Sequence, residues 1–243
     1  MPPPASRLIG WFWSRPYLLL TFTALFWAGN SIVGRATREV IPPVALAFWR
    51  WTLALLLLLP FAWPHLRRDF TVLKANWKWV LPLGVLGIGT FNTLLYTGLQ
   101  TTTAVNGLLL QSMQPALILM LGAVVFAETI RIPQITGLCL SMAGASIIIL
   151  GGDVPTLFRL EFNSGDLVIC GAVVVWSFYS VLLRKRPAVH PLSFLAATFM
   201  IGITVISPFY LAEIASGRLI ESRPESWLAI GYVCLFPSLI AYL

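Results

Sequence analysis

Apolar runs of roughly 18 to 22 residues recur along the whole chain, and this pattern constrains the fold most strongly. Each run is long enough to cross about 30 Å of hydrocarbon as an α-helix. The strands of an outer-membrane barrel would instead be alternating segments of about ten residues. The sequence therefore predicts an all-α polytopic membrane protein with eight spans, near 17–35, 43–63, 79–99, 103–127, 133–151, 166–183, 192–212 and 227–243.

The overall composition favours a membrane protein over a soluble globular domain. Hydrophobic residues make up 58% of the 243 residues, and only 10% are charged. The net charge of +7 would suit nucleic acid in a soluble protein, but in a membrane chain the placement of Lys and Arg matters more. We therefore expect a lipid bilayer around the chain and no nucleic-acid partner.

The distribution of basic residues predicts the orientation of the chain. With the N-terminus in the cytoplasm, ten Lys and Arg lie in inside segments and five in outside segments, as cytoplasmic loops favour. The first run has no clear cleavage site and is expected to remain as a helix of a multi-pass protein in the cytoplasmic (inner) membrane. The inside residues are Arg7, Arg15, Arg67, Arg68, Lys74, Lys78, Arg131, Arg184, Lys185 and Arg186; the outside residues are Arg35, Arg38, Arg159, Arg218 and Arg223.

An internal repeat is present at an offset near 149 residues, where "LFWAGNSIVGR" lies over "VVWSFYSVLLR". This alignment places Trp27 on Trp176 and Arg35 on Arg184. The repeat unit contains five spans, an odd number, so the second copy must enter the membrane from the opposite side. Inverted repeats are typical of secondary transporters. A duplication that gives a stable bundle without transport is the alternative.

The second copy of the repeat is incomplete. The first covers residues 17–151, whereas the second, 166–243, has about three helices, so eight of an expected ten are present. The sequence stops at "FPSLIAYL", and an end at this depth would leave the last carbonyls without partners in hydrocarbon. We therefore expect the sequence to be a fragment.

Polar side chains of four predicted helices lie at a similar depth in the membrane. Arg50, which cannot lose its charge, lies about 10 Å below the outer surface by the rise of an α-helix. Lipid penalises such groups, so we expect a wet central cavity in which Arg50 suits a carboxylate or phosphate. Snorkelling of Arg50 and simple helix-to-helix hydrogen bonding are the alternatives. The other cavity residues are Trp27, Asn30, Asn92, Tyr96, Gln111 and Gln114, with Ser31 on the same helix face as Asn30.

Four more residues complete the predicted site. Two lie in the second copy of the repeat, one lies at a helix bend and one at a helix end. Trp176 and Tyr179 are expected to face the cavity across the pseudo-twofold axis, with ordinary packing as the alternative. Pro115 is expected to weaken the fourth helix. Glu128, followed by Arg131, is predicted to form an interfacial ion pair or a gate at the cytoplasmic end of that helix.

The sequence lacks the motifs of the common membrane and metal enzymes. It contains no HExxH, CxxC, Walker loop or GxSxG, and His65 and His190 lie outside the predicted spans. We therefore predict no catalytic residue, metal or cofactor. An enzyme that acts on lipid-linked substrates and binds a phosphate through Arg50 is the alternative, but no nucleophile or base is placed beside Arg50.

Four segments resemble the EamA repeat of the drug/metabolite transporter superfamily: "ALFWAGNSIVGR", "PPVALAFWRWTLALLLLLP", "LLYTGLQTTTAVNGLLLQSMQPALILMLGAVVFAETI" and "GLCLSMAGASIIILGG". The resemblance implies a ten-helix bundle of two repeats that exports or exchanges amino acids and other metabolites without ATP. Asn30, Arg50, Tyr96 and Pro115 match the family pattern. "FAE" at 126–128 departs from the more usual Leu-Gly-Glu of the family, at Ala127.

Together, the repeat, the polar side chains at a similar depth in four helices and the family resemblance predict a secondary transporter of small polar metabolites such as amino acids. It would export or exchange them by alternating access through a central cavity. Because no deep carboxylate is present, facilitation or exchange is expected over proton coupling. A truncated homologue that does not transport, but binds or assembles with a partner in the membrane, is the alternative. The sequence is also compatible with a homodimer.

Overall fold

The computed structural model describes residues 15–153, 155 and 161–242, and this part of the chain contains eight helices and no strand. The predicted all-α polytopic class is confirmed. Helices α1 to α7 are long and apolar enough to cross a membrane, and α8 is shorter. The helices are α1 Pro16–Ala36, α2 Pro43–Ala75, α3 Trp77–Thr101, α4 Val105–Phe126, α5 Ile132–Ile149, α6 Ser164–Lys185, α7 Pro191–Ala215 and α8 Pro224–Ile240.

Helix α2 is longer than predicted. The apolar run suggested an end near residue 63, but the helix continues to Ala75 and contains 33 residues. Pro60 and Pro64 lie inside α2 without ending it, while Ala62 and Leu66 beside them are buried against neighbouring helices. The predicted span, 43–63, therefore covers the apolar part of α2, and the helix continues for three more turns beyond it.

Helices α2 and α7 pack side by side, and α7 also packs against α3. Trp51 of α2 is fully buried, and its ring centroid lies 4.8 Å from that of Phe199 in α7. The contact between α3 and α7 is so close that a Cβ atom on Gly202 would lie 2.2 Å from Cγ2 of Ile88. Glycine at this crossing therefore sets the distance between the two helices.

A carboxylate caps each of the two central helices at its N-terminus. Glu213, near the end of α7, accepts hydrogen bonds from the backbone N–H groups of Val44 and Ala45 in the first turn of α2, at 3.3 and 2.7 Å. Asp69, near the end of α2, accepts from the N–H of His190 at the start of α7, at 2.9 Å. The first N–H groups of a helix lack intrahelical partners and favour negative charge. The two helices are therefore joined at both of their ends.

The helix contacts have the symmetry expected of an inverted repeat. Helix α3 packs on α6, and α8 packs on α1, which is the same pairing with the two copies exchanged. The counterparts Trp27 and Trp176 meet edge to face, with ring centroids 5.4 Å apart. Both α3 and α8 contain a π-helical turn, at Gly84–Thr90 and Leu235–Ile240, separated by close to the repeat offset. The two copies therefore share a backbone irregularity as well as a sequence pattern.

Replacing Gly202 by Ala is expected to destabilise the protein by about 1–3 kcal/mol, the usual cost of overpacking a core. The added Cβ would overlap the buried side chain of Ile88 and lie 3.0 Å from the backbone N of Gly89. The measurement is the midpoint of thermal unfolding of the purified protein in detergent.

The matched control is Gly137→Ala in α5, where nothing lies within 4 Å of the added Cβ. Alanine is the better helix former, so this variant should be neutral or slightly more stable. Equal losses of stability in the two variants would contradict the close approach of α3 and α7.

Candidate functional site

Arg50 is held at the centre of the bundle by three other helices. Its side chain is only 2% exposed, and its guanidinium makes five hydrogen bonds to α1, α3 and α8. The guanidinium does not snorkel to the interface. Nε donates to Oγ of Ser238 (2.5 Å), Nη1 to Oδ1 of Asn30 (2.8 Å), Oδ1 of Asn92 (2.7 Å) and the hydroxyl of Tyr96 (2.8 Å), and Nη2 to the carbonyl of Pro237 (3.2 Å).

Every acceptor around Arg50 is a neutral oxygen. Within the described part of the chain, no carboxylate lies within ion-pair distance of the guanidinium. Hydrogen bonds to a charged group contribute roughly 1.5–3 kcal/mol each, so the five together offset much of the cost of burying the cation. The bonds spread the positive charge but do not cancel it, which leaves the site electropositive.

The partners of Arg50 are themselves oriented by further hydrogen bonds. The Tyr96 hydroxyl donates to Oδ1 of Asn30 at 2.5 Å, so its lone pair is free to accept from Arg50. The Ser238 hydroxyl donates to the carbonyl of Val233 at 2.6 Å and likewise accepts from Arg50. Each hydroxyl therefore has its proton directed away from the guanidinium.

A small cavity of about 50 Å³ lies beside Arg50, with room for a few water molecules. Six of the other predicted cavity residues line it, together with Ser31, and they come from α1, α3, α4 and α6. Tyr96 contacts Arg50 but does not line the cavity, and Tyr179 lies elsewhere. The lining residues are Trp27, Asn30, Ser31, Arg50, Phe91, Asn92, Leu95, Gln111, Gln114, Trp176 and Tyr242.

Two side-chain amides of this lining have donors without partners. Nδ2 of Asn92 and Nε2 of Gln114 are buried and form no hydrogen bond in the described part of the chain. The orientation of Asn92 is fixed, because its Oδ1 accepts from Arg50. An unsatisfied buried donor costs roughly 1–3 kcal/mol. The cavity is therefore rich in donors and suits a ligand with acceptor atoms, above all a carboxylate.

A larger cavity of about 420 Å³ adjoins the first on the side of α6. Trp27, Trp176 and Tyr242 line both cavities and form the wall between them, which we call the aromatic constriction. The Trp27 ring lies 5.4 Å from Trp176 and 6.4 Å from Tyr242, measured between centroids. Tyr179, predicted beside Arg50, instead lines only this second cavity and packs on Trp176 at 5.1 Å.

The ion pair of Glu128 differs from the predicted one. Glu128 pairs with Arg184 at the end of α6, not with Arg131, and the two side chains are about half exposed, at 44% and 49%. Ala127 adopts a left-handed conformation (φ 51°) immediately before Glu128. This conformation ends α4 where the usual family pattern has Gly, which adopts it without strain. Sequence neighbours suggested Arg131, but the chain reversal at Ala127 brings Glu128 to α6.

Arg35, the repeat counterpart of Arg184, is bound in a different way at the opposite end of the bundle. Its Nη1 donates to the carbonyls of Leu99 and Gln100 at the end of α3, at 2.7 and 3.2 Å.

Helix α4 is interrupted at Met113, two residues before Pro115. The two predicted features at Glu128 and Pro115 therefore lie at a helix end and a helix break, and neither lines the small cavity.

Ser238 and the carbonyl of Pro237 were not predicted as site residues. Their signal in the sequence is the proline in "LFPSLI", since proline inside a helix removes a donor and weakens the hydrogen-bond ladder. The π-helical turn Leu235–Ile240 forms there. It presents the Pro237 carbonyl and the Ser238 hydroxyl to Arg50.

Seven helices long and apolar enough to cross a membrane, five of which line a polar internal cavity in the described part of the chain, define a multi-pass helical membrane protein. The sequence profile described as "EamA-like transporter family" matches residues 14–150 and 163–243. The chain belongs to this family, and the resemblance seen in the sequence is confirmed. No group of three or more His, Cys, Asp or Glu that could hold a metal ion is present among the residues described.

Several relatives are named transporters. The uncharacterized transporter YyaM of Bacillus subtilis (strain 168) is 28% identical over 234 residues, which are 93% of this chain and 75% of that protein. An uncharacterized transporter of Archaeoglobus fulgidus is 27% identical, over 94% of this chain and 78% of that protein. The aromatic amino acid exporter YddG of Ancylobacter novellus is 25% identical, over 71% of this chain and 58% of that protein.

One crystal structure of another protein shares the fold. Its TM-score is 0.68 at 20% sequence identity, and the match covers 93% of this chain and 75% of that one. The likeness therefore extends over nearly all of the helices of this chain.

Replacing Tyr96 by Phe is expected to lower stability by about 1–3 kcal/mol, because its buried hydroxyl both accepts from Arg50 and donates to Asn30. The midpoint of thermal unfolding in detergent measures the change. Tyr232→Phe is the matched control, since its hydroxyl makes one long contact, 3.5 Å to the carbonyl of Phe26. If both variants unfolded at the same temperature as the wild type, the Tyr96 hydroxyl would not support the cluster.

Proposed function

We propose that the protein is a secondary transporter that exports or exchanges small carboxylate-bearing metabolites, amino acids first among them, through the cavity beside Arg50. The observation that carries this proposal is the buried Arg50 guanidinium, which has five neutral partners and no anion within ion-pair distance in the described part of the chain. Membership of the EamA-like transporter family supports transport, and the charge supports the carboxylate.

A carboxylate that enters the cavity would form hydrogen bonds with Arg50 in which both partners are charged, and these are stronger than its bonds to neutral oxygens. The unpaired donors of Asn92 and Gln114 would become satisfied at the same time. Part of this gain is offset, because the carboxylate must displace one of the present partners of Arg50. The resulting moderate affinity suits a carrier, which has to release its substrate on the other side.

The aromatic residues that line the cavity beside Arg50 favour an amino acid as the substrate. Trp27 and Trp176 offer aromatic faces that attract an ammonium group by cation–π interaction. Phe91 and Tyr242 add apolar surface for a side chain. The relative from Ancylobacter novellus is named an aromatic amino acid exporter, which makes phenylalanine and its analogues the first substrates to test.

Transport through this site requires the aromatic constriction to open. The cavity beside Arg50, about 50 Å³, is smaller than the roughly 300–1,000 Å³ that encloses a small-molecule ligand. Separation of Trp27 from Trp176 would join it to the adjoining cavity of about 420 Å³. The present arrangement then corresponds to a closed form of the carrier.

The two copies of the repeat, residues 17–151 and 166–243, are proposed to move against each other about the contact between α2 and α7. Inverted halves give inward-open and outward-open states of similar energy. With the N-terminus in the cytoplasm of the cell, the Glu128–Arg184 pair lies at the cytoplasmic face and joins the two copies there. We assign it a gating role, with the helix break before Pro115 as a place where α4 bends.

The lining of the cavity supports facilitation or exchange over proton coupling and over catalysis. Among the described residues that line it there is no Asp, Glu, His, Cys or Lys. A proton-coupled carrier or a hydrolase needs such a group near its substrate. The substrate itself would then be the sole small-molecule partner of the site.

In liposomes that contain the intact protein, internal unlabelled phenylalanine should drive uptake of labelled phenylalanine, but not of phenethylamine, which lacks the carboxylate. Arg50→Gln should reduce the exchange about tenfold or more, the factor equivalent to one charge-assisted hydrogen bond. Arg131→Gln removes the same charge from an exposed site at the start of α5 and should leave exchange unchanged.

Gln114→Ala gives a second test that does not disturb the Arg50 cluster, because Nε2 of Gln114 has no partner to lose. It should raise the KM for phenylalanine. Equal exchange of phenylalanine and phenethylamine would refute carboxylate recognition. Absence of exchange for any carboxylated metabolite would instead favour the homologue that only binds a partner.

Reversing one charge of the Glu128–Arg184 pair should change the exchange rate about two- to fivefold, the size expected for a half-exposed ion pair. The single variant Arg184→Glu places two carboxylates together, and adding Glu128→Arg should restore the wild-type rate. Arg186→Glu, exposed at the same helix end, is the control. A double variant no better than Arg184→Glu alone would show that the pair does not gate.

A further inference from the structure

A third cavity, larger than the two already described, lies away from Arg50, where the final turns of α2 meet the start of α3 and the first half of α7. We call it the α2–α3 groove, and its volume is about 680 Å³. Volumes of roughly 300–1,000 Å³ are typical of sites for small organic ligands. Nothing in the proposed transport route uses this groove.

Three helices present apolar stripes to the groove. Trp63, Leu66 and Phe70 of α2 are spaced at i, i+3 and i+7, and therefore share one helix face. Ala197 and Met200 of α7, spaced at i and i+3, also share one helix face and line the groove. The groove is consequently a long apolar channel of the kind that accommodates a hydrocarbon chain.

The groove extends from the hydrocarbon to the level of the lipid headgroups. The 33 residues of α2 span about 50 Å, whereas the hydrocarbon is about 30 Å thick. Part of α2 must therefore extend beyond the hydrocarbon, and the exposed cations Arg67, Arg68 and Lys74 place that part at its final turns. Trp63, Trp77 and Trp79 are all exposed there, as expected of a belt of interfacial aromatic residues.

One charged residue, Arg67, lines the groove, and its guanidinium lies over the Trp63 ring at 4.7 Å from the centroid. Arg68, Lys74 and Lys78 are exposed on the same segment. None of these four cations forms an ion pair with another residue that the structure describes. The adjacent carboxylate, Asp69, instead accepts from the backbone of His190. The mouth of the groove is therefore strongly positive.

We propose that the α2–α3 groove binds an anionic phospholipid, with an acyl chain along the apolar stripes and the phosphate beside Arg67. A zwitterionic lipid would fit the channel but would not match the net positive charge at its mouth. A second copy of the chain fits less well, because a twofold interface at this face would oppose the four cations to the same four cations. Charge complementarity thus selects the anionic lipid.

Native mass spectrometry of the intact protein in detergent tests the proposal, with dioleoyl phosphatidylglycerol and dioleoyl phosphatidylcholine as probes. The wild type should retain phosphatidylglycerol in preference to phosphatidylcholine when both are offered together. Arg67→Gln should weaken phosphatidylglycerol binding about fivefold, the contribution of one basic side chain near an anionic headgroup. Arg131→Gln, with the same loss of charge outside the groove, should bind as the wild type does.

Three results would overturn the proposal. Equal retention of the two lipids by the wild type would show an apolar groove without headgroup selectivity, and this comparison needs no variant. Phosphatidylglycerol binding that falls equally in Arg67→Gln and Arg131→Gln would place the lipid elsewhere. A dimer mass that is lost in Arg67→Gln would identify a second copy of the chain as the occupant.

Discussion

The rest of the structure depends on one buried cation, Arg50, which has no anion beside it in the described part of the chain. Arg50 cannot be neutralised by losing a proton, so the bundle must supply oxygen atoms on all sides of its guanidinium. Asn30, Asn92 and Tyr96 come from the first copy of the repeat, and Pro237 and Ser238 come from the second. Arg50 therefore joins the two copies at the point where the proposed alternating access requires them to separate.

This arrangement links the proposed substrate to the proposed motion. A carboxylate that took the place of Ser238 would give Arg50 a stronger partner and would release α8 of the second copy. A substrate without a carboxylate would leave the bond between Arg50 and Ser238 intact. The neutral acceptors bind Arg50 less strongly than an internal carboxylate would. An anionic substrate would therefore be able to compete with them for the guanidinium.

The sequence was sufficient for the fold class and for most of the residues that lie around the cavity beside Arg50, because both depend on local patterns. Apolar length predicts the helices, and polar residues in lipid must converge, which is why Asn30, Asn92 and Gln114 were found. Contacts that depend on chain geometry could not be predicted in the same way. The π-helical turn brings Ser238 to Arg50, and the left-handed Ala127 brings Glu128 to Arg184 instead of Arg131. Tyr179 lies in α6 as predicted, but it lines the adjoining cavity of about 420 Å³ and not the cavity beside Arg50.

Positive charge is used differently at the two sites, and burial determines the difference. Arg50 lies in protein with little water around it, so dissolved salt screens its interaction with a bound carboxylate only weakly. Arg67 and the cations near it are exposed to solvent, where charges more than about 8 Å apart are largely screened at physiological ionic strength. Raising the salt concentration should therefore release an anionic lipid from the α2–α3 groove before it affects a carboxylate beside Arg50. The two proposed functions can thus be distinguished in one protein without altering a residue.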